Sequence, residues 1–525
     1  MNITKREPKP YNYLCYGLAD VIGAGAFTLV SAWLLFFLTT FCGLSPLEAG
    51  GLFAFARIVD MIMSPTIGYI SDNFHKTALG RRFGRRRFFL LLSIPFVFVY
   101  SLLWTQGLSY WMYIFAYIGF EVVYMMILIP YDTLAAEMTD NFAVRSKLCS
   151  ARMYVAQIAS FGSAFIPGRL IAYFGQDSAK SFLYAGLIFS CAFAIVLFFV
   201  YFGTWERSPE DIELSEQHLE PQAHVKFSSR VWDIYYDFIS TLKVKSFRSE
   251  LGMYLGGSVA QDIFNGVFTY FVVFGLATSS VIAANALSII TGLQFFGVTI
   301  ATWLTLRNSP SKAYIVQGIM AIVAFFMFLL SYYSGEWAMF VLYLGSAVAG
   351  LARGGMYSIP WNTYTFIADV DEVLTQQRRE GIFAGFMNLL RKTCQALSMF
   401  AIGIALQYSG FLSGAKAQPQ SAINMIIVIM VAVPTLLTLW GIYSAYQFKI
   451  DGRTHDILCK EVQRLRQGGR LEETDPKVQH VITQMTGVDW VNSWGNNTVG
   501  HINKRKQDQK LQMQQASFGG SSSMK

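Results

Sequence analysis

The sequence predicts an all-α polytopic membrane protein, with about twelve transmembrane helices arranged as two bundles of six. Three observations carry that prediction. Only 14% of the 525 residues are charged and 54% are hydrophobic, whereas an average soluble domain is roughly 25% charged. The apolar residues gather into long runs between Tyr11 and Phe448, and an apolar run of roughly 18 residues or more reads as a membrane span. Lys and Arg concentrate in alternate loops between those runs, and a short motif recurs in the two halves.

In chain order the runs place spans at about 13–41, 47–70, 88–106, 110–138, 148–174, 182–203, 251–276, 280–305, 314–334, 338–367, 381–406 and 421–447. The loop after span two holds Lys76, Arg81, Arg82, Arg85, Arg86 and Arg87. Those after spans four, eight and ten hold Arg145 and Lys147, Arg307 and Lys312, and Arg378 and Arg379. The intervening loops hold little beyond Lys180 and Lys416. Positive loops are cytoplasmic, so both termini are expected in the cytoplasm and the number of spans is even. The same bias accounts for the net charge of +8, and no nucleic-acid partner is expected. Met1 to Pro10 are polar and basic, with no cleavable signal segment apparent.

The longest internal loop, 204–250, separates an N-terminal bundle, 1–203, from a C-terminal bundle, 251–447. The tail, 448–525, is polar and expected to be cytoplasmic, with one short helix near 455–467 and disorder elsewhere. Ile129-Pro130-Tyr131-Asp132-Thr133 lies near the end of span four, and Ile359-Pro360-Trp361-Asn362-Thr363 near the end of span ten. Each is followed by acidic residues and then by Arg145 or Arg378. Two six-span halves of like topology are a transporter pattern.

Spans three, six, eight, nine and twelve contain no Asp, Glu, Lys or Arg. The others carry Asp20, Arg57, Asp60, Glu121, Asp132, Arg152, Arg169, Asp262, Arg353, Arg391 and Lys392. Charge inside a bilayer is costly and normally faces the bundle interior or a cavity. A polar cavity between the halves is therefore expected. The six histidines all lie outside the spans, and the six cysteines form no CxxC pair. That pattern argues against a zinc site, a disulfide framework or a membrane enzyme.

Gly68-Tyr69-Ile70-Ser71-Asp72, with Gly80-Arg81-Arg82 and Gly84-Arg85-Arg86-Arg87, resembles the loop signature of the major facilitator superfamily. Arg57-Ile58-Val59-Asp60 to Ser64-Pro65, and Tyr16-Gly17-Leu18-Ala19-Asp20, resemble the second and first helices of its glycoside–pentoside–hexuronide:cation symporter family. Ile129-Pro130-Tyr131, Ala368-Asp369-Val370-Asp371 and Arg379-Glu380-Gly381 resemble the same family's spans four and ten to eleven. The resemblance covers about 12–447, and reaches melibiose permease-like members and the oligogalacturonide transporter branch. It implies a major-facilitator fold and a monomer in the inner (cytoplasmic) membrane. It also implies cation-coupled symport of a sugar, glycoside or (oligo)uronide, and no cofactor beyond the coupling ion. A lipid or lysolipid transporter of the same fold and a non-transporting sensor are the alternatives.

For cation coupling the resemblance points to Asp60, with Arg57 one turn before it, Ser64 one turn after, and Lys392 of span eleven. Melibiose permease-like members have a second carboxylate where this chain has Ser64. A hard cation such as sodium prefers several oxygen ligands, carboxylates among them, so a proton is the expected coupling ion, with sodium the alternative. If sodium were coupled, Asp60 would be its ligand. For substrate the candidates are Asp20, Asp132, Arg152, Arg353, Trp361, Asn362 and Lys392. Ala24 and Leu128 stand where melibiose permease-like members have sugar-binding carboxylates, so galactoside specificity is not carried over. The cations Arg57, Arg152, Arg353 and Lys392 could instead pair with the carboxylate of an acidic sugar. Tyr131, Trp361 and Phe264 are possible stacking faces, although packing is the commoner role of such rings. Arg169 is expected to be an interfacial anchor.

Overall fold

The computed structural model describes residues 8–139, 142–175, 178–206, 235–376 and 379–494. Most of the central loop, Arg378 and the tail beyond 494 lie outside the described residues. Among the described residues, twelve helical segments form the two halves. In the N-terminal half these are α1, Pro10–Thr40; α2, Pro46–Asn73; α3, Arg87–Leu102; α4, Tyr110–Met138; α5, Phe142–Phe174; and α6, Lys180–Gly203. In the C-terminal half they are α7, Lys245–Tyr270, continued to Gly275; α8, Ser280–Arg307; α9, Pro310–Tyr333; α10, Ala338–Thr375; α11, Glu380–Tyr408; and α12, Gln420–Gln447. Among the described residues nine helices are long and apolar enough to cross a membrane by length and composition. The α2 and α7 helices are as long but carry more charge, Arg57 and Asp60 in one and Glu250 and Asp262 in the other. The α3 helix is shorter and is interrupted after Pro95.

The helix starts follow local chemistry. Ser45 caps α2 in a capping box with Glu48, next to Pro46 at the first position. Ser109, Ser279 and Ser309 accept from the first-turn backbone of α4, α8 and α9. The α1 helix widens into π turns at Val21–Ala26 and Val30–Leu34, just after Asp20, a distortion that often marks a functional segment.

Sequence and structure differ at two places. The C-terminal bundle begins at Lys245, inside the segment read as central loop, so Glu250 is a fully buried helical residue. The tail is helical well beyond 467. Helix α13, Gly452–Arg466, packs on α10, and α14, Pro476–Thr486, packs on α7, α10 and α13. Leu458, Val462 and Leu465 line the buried side of α13.

The internal repeat is visible in side chains. Tyr16 of α1 lies on Tyr131 of α4, with ring centroids 4.7 Å apart and planes at 34°. Tyr254 of α7 lies on Trp361 of α10 at 6.0 Å and 33°. On the face that carries the chain ends, Glu206 organises the basic loop. Its carboxylate accepts the backbone N–H groups of Arg85, Arg86 and Arg87, the last two at 2.9 and 3.2 Å. Gly84 makes this possible, because its φ is +95° and a Cβ there would lie 2.5 Å from Glu206 Oε1.

At the opposite face the two halves are locked together. Thr39 and Tyr270 hydroxyls share a 2.6 Å hydrogen bond between α1 and α7. Ser413 donates to Leu44 O at 2.7 Å, and Gly414 N–H to Thr39 O at 3.1 Å. Phe36, Tyr270, Phe274 and Phe411 pack edge to face around this contact. Small residues let the backbones touch. A Cβ on Gly403 of α11 would sit 2.3 Å from Pro46 O of α2, and one on Gly168 of α5 would sit 2.4 Å from Ala284 Cβ of α8. Arg169 bonds to Asn285 of α8 at the same seam, so it also makes a contact between the halves.

Gly403→Val is accordingly expected to hold this face apart. Pulsed electron–electron resonance between spin labels at Leu47 and Tyr408 should show a longer mean distance in the variant. An unchanged distance distribution would contradict the backbone contact.

Candidate functional site

Asp60 sits midway along α2 with a side chain only 6% exposed, and its polar partners come from its own helix and from α11. One carboxylate oxygen is bound by Arg57, one turn earlier on the same face. The other accepts from Ser64 Oγ at 3.2 Å and lies 3.5 Å from Lys392 Nζ of α11. The Ser64 hydroxyl also lies 3.1 Å from Met125 Sδ. Arg57 Nη2 is 3.9 Å from Glu121 of α4. The four residues that the sequence offered for cation coupling are thus in one cluster. Glu121, noted only as an intramembrane charge, joins them, because α4 packs on α2. Lys392 gives the cluster its reach, since it belongs to the other half of the molecule.

A second cluster lies nearer the face with the chain ends. Arg152 of α5 donates through Nε to Asp20 of α1 at 2.9 Å and through Nη1 to Asp132 of α4 at 2.6 Å. Its guanidinium also lies 4.9 Å from the centre of the Tyr131 ring. Asp20 is 9% exposed, Arg152 29% and Asp132 53%, so the triad grades from a buried end to an accessible one. Tyr124 donates to Gly23 O at 2.9 Å and stands within electrostatic reach of Glu121, Asp20, Asp132 and Arg152, between the two clusters.

The C-terminal half carries a third cluster. Arg391 of α11 donates to both oxygens of Asp262 of α7 at 3.0 and 3.3 Å, and Gln395 adds a contact at 3.3 Å. Arg353 of α10 donates to Asn265 at 2.9 Å and acts electrostatically on Asp262. Arg391 and Lys392 point in different directions, as adjacent helical residues must. One closes the C-terminal half and the other crosses to Asp60.

The remaining sequence candidates separate. Trp361 is half-buried between Tyr254 and Tyr364, and its neighbour Asn362 is exposed. Phe264 is enclosed by Phe268, Phe325 and Phe328, so it packs the C-terminal core instead of offering a face for a sugar. Glu250 was missed because its sequence position reads as the end of a loop. It accepts from the Thr363 hydroxyl at 2.8 and 2.9 Å, inside the repeated Ile-Pro motif. At positions equivalent to Asp20 and Asp132 the C-terminal half has Ser258 and Asn362. The charged triad therefore exists in only one of the two repeats.

The sequence profile of the MFS/sugar transport protein family matches residues 15–452. The isoprimeverose transporter of Lactiplantibacillus pentosus is 27% identical, over 87% of this chain and 92% of that protein. The sodium-dependent lysophosphatidylcholine symporter 1-A of Danio rerio is 22% identical, over 88% of this chain and 90% of that protein. Among solved structures, a bacterial homolog of the human lysosomal transporter Spinster, inward-facing and unoccupied, superposes with a TM-score of 0.62. It is 12% identical and covers 84% of this chain and 98% of its own, a likeness that shows the fold alone.

Removing one member of a buried ion pair leaves the other charge uncompensated, at a cost of about 3 kcal/mol. Arg391→Met should lower the thermal unfolding midpoint of the purified protein, and Arg391→Met with Asp262→Asn should recover most of the loss. A double variant as unstable as the single one would show that the two residues do not stabilise each other.

Proposed function

This chain belongs to the MFS/sugar transport protein family, and on that premise we propose that it is a cation-coupled symporter. It carries a sugar or glycoside across the inner (cytoplasmic) membrane as a monomer, by alternating access. The chain is a membrane transporter and not an enzyme, as its family indicates. The observation that carries the coupling proposal is the Asp60 carboxylate, held by Arg57 of its own helix and approached by Lys392 of the other half. A cation that neutralises Asp60 weakens the attraction to Lys392, so the charge state of one carboxylate changes how strongly the halves hold each other at mid-depth.

The surroundings of Asp60 favour a proton over sodium. Sodium needs a shell of oxygens. Beside Asp60 stand one hydroxyl, a guanidinium and an ammonium, and the Glu121 carboxylate lies beyond Arg57, so sodium would have to displace cations. A proton needs one oxygen only. Substrate is assigned to the Asp20–Arg152–Asp132 triad and the ring of Tyr131. Carboxylates accept from sugar hydroxyls and a guanidinium donates to them. Arg152 already faces two carboxylates, which disfavours the acidic sugar expected from the sequence. A uronide would need its counter-charge from Arg353 or Lys392. With cytoplasmic termini, the locked face is the outer one and the triad lies toward the cytoplasm, an inward-facing state.

Two measurements test this reading. In sodium-free vesicles, an imposed pH gradient should drive sugar accumulation, and Asp60→Asn should abolish accumulation while leaving downhill exchange. Accumulation driven by sodium at clamped pH, and not by protons, would overturn the proton assignment. Uptake of lysophosphatidylcholine in place of sugars would overturn the substrate class. For orientation, a cysteine at Ala417 should react with an impermeant thiol reagent applied to intact cells, and one at Arg453 should not. The reverse pattern would invert the topology.

A further inference from the structure

We propose that Asp369, His455 and Cys459 form a binding site for a zinc-class divalent cation, which latches the tail helix α13 to the end of α10. His455 and Cys459 are one turn apart on α13 and so share a face, and Asp369 meets them from α10. His455 Nε2 lies 2.9 Å from Asp369 Oδ2 and 3.5 Å from Cys459 Sγ. All three ligand atoms fall within 4.8 Å of one another. Tetrahedral zinc, with bonds of roughly 2.0 Å to nitrogen or oxygen and 2.3 Å to sulfur, spaces its donors by about 3.3–3.5 Å. The spacings need only small side-chain adjustments to reach that geometry.

The donor set selects the metal. Thiolate with imidazole favours zinc and its neighbours, whereas magnesium and calcium take oxygen shells. A thiolate and a carboxylate also bring two negative charges to balance a divalent cation. Arg466, the nearby cation that acts on both Asp369 and Cys459, is engaged by Glu372 at 2.6 Å. The His455 ring is held against Phe366, with centroids 4.7 Å apart, which fixes the direction in which Nε2 points. Three protein ligands leave a fourth position for water, as in exchangeable zinc sites.

The location gives the site a consequence. The tail already touches α10 and α7 through Trp494 N–H to Val373 O at 2.6 Å, Gln376 to Trp494 O at 3.0 Å and Ser246 to Met485 O at 2.7 Å. The α10 helix also carries Arg353 and Trp361. A metal between α13 and α10 would fasten the tail to a helix of the transport path, making tail docking responsive to the metal.

The alternative is a His455–Asp369 ion pair with a thiol beside it by chance. Zinc titration of the untagged full-length protein in detergent, against a chromophoric chelator, separates the two. The expected result is one zinc per chain, with affinity lowered about a hundredfold or more in Cys459→Ser and in Asp369→Asn. Magnesium should not compete. Zinc should also slow tryptic cleavage at Arg464 and Arg466 in the parent protein but not in Cys459→Ser. Because Cys459→Ser keeps the ion pair, it retains the docked tail, and its cleavage rate without zinc should match the parent's. Absence of zinc binding, or equal binding by Cys459→Ser, would overturn the proposal.

Discussion

Moving a carboxylate or a guanidinium from water into an apolar bundle costs several kcal/mol per ion after relaxation. Asp20, Arg57, Asp60, Glu121, Asp262 and Arg391 all lie in that position, and their pairings decide how the helices are arranged. Arg152 ties α1, α4 and α5 together through two carboxylates. Arg57 links α2 to α4, and Arg391 links α11 to α7. Each of these pairings is satisfied within one half. Asp60 alone among these clusters is also approached from the other half, by Lys392. The two bundles can change their mutual arrangement without leaving the internal pairs unpaired, and the change is registered at Asp60.

That division explains the distribution of other contacts. Where the halves are locked, they use glycine, alanine and aromatic rings, which can separate without exposing a buried charge. Within each half the repeat places one aromatic ring on another, Tyr16 on Tyr131 and Tyr254 on Trp361. Only the N-terminal copy surrounds its ring pair with Asp20, Arg152 and Asp132. The C-terminal copy has Ser258 and Asn362, and it concentrates its charge at Asp262, Arg353 and Arg391. The repeat supplies a scaffold common to both halves, while the charges differentiate a half suited to polar hydroxyls from one that supplies cations.

Much of this was legible in the chain. Apolar runs bounded by caps and basic loops marked most of the spans closely, although α5 and α7 begin earlier and α10 ends later than the runs suggest. The first residues of α7 escaped because Lys245, Arg248 and Glu250 resemble a loop until Thr363 is seen to satisfy Glu250. The helix expected near 455–467 is α13, but the surface that receives it, made by α10 and α14, is assembled only in the folded chain. Arg57, Asp60 and Lys392 stood out as rare intramembrane charge, and Ser64 entered only through the family resemblance, one turn after Asp60. Glu121 was seen but not placed, since its relation to Arg57 depends on packing between α2 and α4. Phe264 was indistinguishable in sequence from any other ring in an aromatic-rich helix.

The most direct test of the central claim, that the charge on Asp60 changes during transport, is infrared difference spectroscopy of the protein in lipid. Sugar is added at constant pH without sodium. Substrate binding should produce a carbonyl stretching band of a newly protonated carboxyl that shifts in heavy water, and the band should be missing from Asp60→Asn. The same band in Asp60→Asn would mean that another carboxylate takes the proton and that the bridge to Lys392 is not the coupling element.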